Sequence, residues 1–95
     1  MLYASANRLD EAHELATKLL QETLVQYATD EKFIAARQYA LAFVLNKMGK
    51  GPEALDLAQK AYNTRLKYLG KFNEATKRSK ELLDDIKMNH YSPAP

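Results

Sequence analysis

Residues 50–60 read Lys50-Gly51-Pro52-Glu53-Ala54-Leu55-Asp56-Leu57-Ala58-Gln59-Lys60, and residues 8–18 read Arg8-Leu9-Asp10-Glu11-Ala12-His13-Glu14-Leu15-Ala16-Thr17-Lys18. Laid over each other 42 positions apart, with Ala12 on Ala54, they share Glu, Ala, Leu, Ala and Lys in order. Leu24 also meets Leu66, and the correspondence thins out through Leu41 on Leu83 and Val44 on Ile86. Favoured helix residues alone give any two amphipathic helices some likeness. They do not explain small Ala at the same two places, where a larger side chain would hold neighbouring helices apart. A period that carries two helices predicts a helical-hairpin solenoid, each unit covering its neighbour's apolar face.

Outside the repeated stretch the spacing stays helical. Ala12, Leu15, Ala16, Leu19, Leu20, Leu24 and Tyr27 recur at i, i+3, i+4, i+7 and predict a first helix over Asp10–Tyr27 with Asn7 as its cap. A second helix is expected from Thr29 or Asp30 to Met48, stopped by Gly49. Gly51-Pro52 suits the opening of a third, whose apolar face runs Ala54, Leu57, Ala58, Ala61, Tyr62, Leu66, Leu69 up to Gly70. A fourth starts near Asn73 with a narrow stripe of Ala75, Leu82, Leu83 and Ile86. Strand signals are missing. Phe33 to Leu45 is apolar nearly all round, so the second helix should be central and the polar fourth helix an end cap. The expected domain is residues 1–90, with 91–95 (Tyr-Ser-Pro-Ala-Pro) a loose tail.

The run Leu45-Asn46-Lys47-Met48-Gly49-Lys50-Gly51-Pro52-Glu53-Ala54-Leu55-Asp56-Leu57-Ala58-Gln59-Lys60-Ala61 resembles the turn and second helix of a tetratricopeptide (TPR) repeat. Gly49, Ala54, Ala58 and Ala61 match the family's small positions, with Leu41, Ala42 and Leu45 on the helix before. The first copy supplies Tyr3, Ala12, Ala16 and Leu19 but has Asn7 at the turn. The usual repeat is about 34 residues. The longer spacing here, with Leu69-Gly70 closing the third helix, is similar to the extended repeats of the kinesin light chain type. The likeness spans roughly residues 3–87, and only Asp30–Gly70 forms a complete unit. HEAT-type repeats and a plain four-helix bundle are the structural rivals. The resemblance implies about four long helices in a short right-handed solenoid, preceded by a helical fragment at residues 1–6. It also implies a partner segment held on the inner face of each first helix. By register those residues are Ala36, Tyr39, Phe43, Asn46 and Lys47, then Arg78, Glu81 and Asp85. Tyr39 and Phe43 on so apolar a helix equally suit a core, and Phe43 is expected to be covered.

Composition narrows the chemistry. A chain of 95 residues, 46% hydrophobic and 27% charged, is a small globular domain rather than a disordered or collagenous one. There is no cysteine for a disulfide, a thiolate zinc site or a nucleophile. His13, expected to point away from the first helix's stripe, and His90 lie too far apart for a metal pair. Ser5, Ser79 and Ser92 have no nucleophile-elbow glycines, and no phosphate loop is present. Asp84 and Asp85 point about 100° apart on a helix and share no proton. No enzyme activity, metal or cofactor is expected.

Charge is uneven. Residues 60–80 hold Lys60, Arg65, Lys67, Lys71, Lys77, Arg78 and Lys80 against Glu74, interleaved with Tyr62 and Tyr68. Such a stretch can solvate two helix faces, receive an acidic peptide, or bind RNA; RNA ranks last because the charges do not form one stripe. The expectation is therefore a non-catalytic, cytoplasmic adaptor or assembly protein that binds a protein or peptide. Self-association is the second reading, because Met1, Leu2 and Tyr3 want cover and about three repeats are normally needed for stability. No targeting segment and no membrane partner are expected: the longest apolar run, Tyr39 to Leu45, is too short to span a bilayer.

Overall fold

The computed structural model describes residues 2–91 and the side chains of residues 8–89. It contains four helices: α1 (Leu2–Gln26), α2 (Glu31–Lys47), α3 (Gly51–Leu69) and α4 (Glu74–Tyr91). Links of three or four residues join them, which makes consecutive helices antiparallel neighbours. The result is an all-α stack of helical hairpins measuring 38 × 33 × 21 Å. Its long dimension is that of α1, since 25 residues at about 1.5 Å each span about 37 Å. Its thickness is that of two helices, each about 10 Å across.

Local chemistry sets most boundaries. Asp30 caps α2 by accepting the Phe33 N–H at 3.1 Å. Tyr27 meets Phe33 edge to face at 5.0 Å and closes the α1–α2 turn. At the other end of α2 the Gly49 N–H donates to the Asn46 carbonyl and the Lys50 N–H to the Leu45 carbonyl. This Schellman closure needs a left-handed residue, and Gly49 supplies φ +79°. Pro52 sits in the first turn of α3, where its missing N–H costs nothing. Asn73 starts α4 by accepting the Ala75 N–H at 2.8 Å.

The N-terminus departs from expectation. Asn7 lies inside α1, which is continuous from Leu2, so residues 2–6 of the expected separate fragment are its first turns. An Asn inside a helix costs only a fraction of a kcal/mol relative to Ala, about 0.7 at most, so a strong helix on either side overrides the cap signal. The need of Met1, Leu2 and Tyr3 for cover falls outside the described side chains. Tyr91, placed in the tail by the sequence, belongs to α4, and residues 92–95 lie outside the described residues.

The core is formed by Ala16 of α1, Leu41, Ala42 and Leu45 of α2, Ala54 and Ala58 of α3, and Leu82, Leu83 and Ile86 of α4. As expected, α2 is central: it packs against all three other helices, whereas α1, among the described residues, packs closely against α2 alone. The alanines of α3 are fully covered, which lets the backbones approach closely. Two expected faces are shifted. In α1, Leu15, Leu24 and Tyr27 are exposed, while Thr23 is buried and bonds back to the Leu19 carbonyl at 2.7 Å. In α3, Leu66 and Leu69 lie at the edge of exposure, near the open end of the α3–α4 turn. His13 turns inward rather than away, into a crease with Leu41 and Leu45 of α2 and Pro52, Glu53 and Asp56 of α3.

Candidate functional site

The residues predicted for the inner face divide into two groups. Asn46 is buried, and its amide donates to Asp85 Oδ2 at 2.9 Å, joining α2 to α4 across 39 residues of sequence. Asp85 also accepts from Asn89 at 3.3 Å. Tyr39 is half-buried against the core, its ring 4.8 Å from the Arg65 guanidinium. These three side chains hold the helices together. Phe43, Lys47, Arg78 and Glu81 face solvent, and Ala36 is half-buried.

Phe43 is the clearest departure: its expected cover is absent, and it is 45% exposed on the most buried helix. The Lys47 ammonium lies 5.4 Å from its ring centre. Both border a crease between α1 and α2 with a volume of about 500 Å³, completed by Arg8, Leu9, Ala12 and Val44. The floor is apolar, and the two cations stand at its edge. Arg8, Leu9 and Val44 were not singled out as site residues. The signal for Leu9 was the i, i+3 spacing to Ala12 on the side of α1 that meets α2.

The basic stretch of residues 60–80 is largely consumed by the fold. Lys60 pairs with Asp56 at 3.1 Å, Lys80 with Asp84 at 3.2 Å and Arg78 with Glu74 at 3.9 Å, each across one helical turn. Arg65 turns inward. Its Nη1 donates to Ser79 Oγ at 3.0 Å, Ser79 donates to the Ala75 carbonyl at 3.0 Å, and Thr76 donates to the Arg65 carbonyl at 3.1 Å. Burial lowers the Arg65 pKa; Tyr39 acts in the opposite direction and the charge of Arg78 reinforces the lowering. An arginine so held remains a cation at neutral pH. Thr76 and Ser79, both buried, extend the α4 stripe with polar residues that an apolar pattern does not reveal. Among the described residues, Lys67, Lys71 and Lys77 meet no carboxylate within ion-pair reach; Lys67 lies over Tyr68 at 5.1 Å and Lys71 over Phe72 at 5.2 Å.

Among the described residues, no three His, Asp or Glu side chains converge as a metal ion would require. No helix among them is long and apolar enough to cross a membrane.

Fold and surface together define an all-α chain of stacked helical hairpins with an exposed aromatic crease on its central helix. Compared with family models, with curated proteins and with solved structures, the chain matches none.

Proposed function

We propose that this chain is a non-catalytic protein-interaction module of the tetratricopeptide kind, an adaptor or assembly protein acting in the cytoplasm. It takes a segment of a partner protein on the inner side of α2, at the mouth of the α1–α2 crease. One observation carries the reading: a phenylalanine ring stands half in water on the helix that is otherwise the most enclosed. That ring is not part of the hydrophobic core, and the cation it meets is Lys47 of its own helix. An exposed aromatic beside an apolar cleft is the usual form of a binding anchor. Leu9, Ala12 and Val44 can receive an apolar side chain, while Arg8 and Lys47 flank the crease and suit a carboxylate of the same segment. The 42-residue register and its small positions support the repeat assignment.

Selection of a displayed random-peptide library on the folded protein tests this. Selected peptides are expected to carry an apolar residue with a nearby carboxylate. They should bind Phe43→Ala and Lys47→Glu at least tenfold more weakly, with helix content unchanged by circular dichroism. Peptides that bind both variants as tightly as the parent would sink the assignment.

A further inference from the structure

The 42-residue register lets the outer surface of α4 be set beside the buried face of α2. The buried face of α2 includes Ala35, Ala42 and Leu45, which the rest of the stack covers. Moved on by 42 positions, those places in α4 are Lys77, Asp84 and Lys87, all exposed; Gln38 becomes Lys80, also exposed. A further helix of the same array would have to bury those lysines, at a large desolvation cost. Charged side chains thus stand on α4 where α2 carries part of its buried face. Two of these residues, Lys77 and Lys80, border a concave site. Tyr62 of α3, Lys71 and Phe72 of the turn, and Thr76, Lys77, Lys80 and Glu81 of α4 line a groove of about 500 Å³. Phe72 is 79% exposed at its edge.

We infer that this α3–α4 groove is a second docking site, for an acidic segment of a partner protein that carries one bulky apolar side chain. Charge selects that occupant. Among the described residues, Lys71 and Lys77 have no carboxylate in ion-pair reach, and Lys80 shares only the exposed Asp84. Against them the groove itself holds a single acid, Glu81. Two aromatic rings, Tyr62 and Phe72, give the apolar side chain a place to rest between the ammonium groups. Lys77 and Lys80 stand three residues apart on one helix and are neighbours on its surface, a spacing that two carboxylates of one peptide can match. The site stands apart from the Phe43 crease in its residues, so either can fail without the other.

Fluorescence anisotropy with a labelled octapeptide, six glutamates around a central phenylalanine–leucine pair, is the test. Lys71→Glu/Lys77→Glu should weaken binding at least tenfold and Phe72→Ala about fivefold. Lys18→Glu/Lys32→Glu, an equal charge change on α1 and α2, should alter it less than twofold. All of these positions are exposed, so the fold is retained, and circular dichroism checks this. A peptide with lysines in place of the glutamates should bind the double variant more tightly than the parent protein. The inference is overturned if the acidic peptide does not bind. It also fails if glutamines serve as well as glutamates, if the variants bind equally, or if a ten-nucleotide oligouridylate binds more tightly than the peptide.

Discussion

α1 and α3 carry the same sequence motif 42 residues apart, yet they live in different surroundings. α3 lies between α2 and α4, while α1, among the described residues, packs closely against α2 alone. Equivalent residues show the effect. Ala58 is 1% exposed and its counterpart Ala16 8%. Leu57 packs against the core, whereas Leu15, its copy in α1, is 57% exposed. At the position held by Thr23 in α1 and Arg65 in α3 the contrast is chemical. Thr23 satisfies its hydroxyl on its own helix, and Arg65 reaches Ser79 of α4 and the ring of Tyr39 on α2. One motif thus makes the helix twice, but the number of neighbours decides what each residue is worth.

That contrast can be broken by making the same change in both copies. The largest effect is expected from Ala→Leu at the small positions. Ala58→Leu should destabilise by about 3 kcal/mol, because three methyl-sized groups must enter a closed interface, and Ala16→Leu by about 1 kcal/mol. Urea midpoints at constant m-value measure the difference; equal losses would mean that the two interfaces are equally tight. Next comes Arg65→Met, which keeps much of the stem but removes the bond to Ser79 and the stacking on Tyr39. A loss of about 2 kcal/mol is expected, against under about 0.5 kcal/mol for Thr23→Ser. The smallest contrast is Leu57→Ala at about 1 kcal/mol beside Leu15→Ala within about 0.5 kcal/mol of the parent. A Leu15→Ala protein that loses as much as Leu57→Ala would show that α1 is covered in solution, which is what self-association requires.

Much of the fold was legible because its punctuation is chemical. Asp30, Gly49, Gly51-Pro52 and Gly70 place the ends of α2 and α3 to within a residue or two, as each either satisfies a helix terminus or supplies an unusual backbone angle. Asn7 misled, because the same side chain that caps a helix is tolerated inside one. Burial was less legible than structure. Leu15 and Leu57 sit on identical patterns, and only the missing neighbour separates them. The site was half legible for the same reason. On a helix apolar nearly all round, no periodicity distinguishes the exposed Phe43 from the half-buried Tyr39. Arg65 reads as one more surface cation in a basic run, since its partners Ser79 and Tyr39 lie 14 and 26 residues away.

The order of contacts also bears on how the molecule comes into being. The major interfaces join helices that are adjacent in sequence; only the smaller α2–α4 contact skips one. Chains with such short-range topology pay little loop-closure entropy before each contact forms, and they fold fast. Each helix can settle on its predecessor as it leaves the ribosome, with α4 arriving last to set its lysine-bearing side outward. Synthesis and assembly can then run in the same direction along the chain.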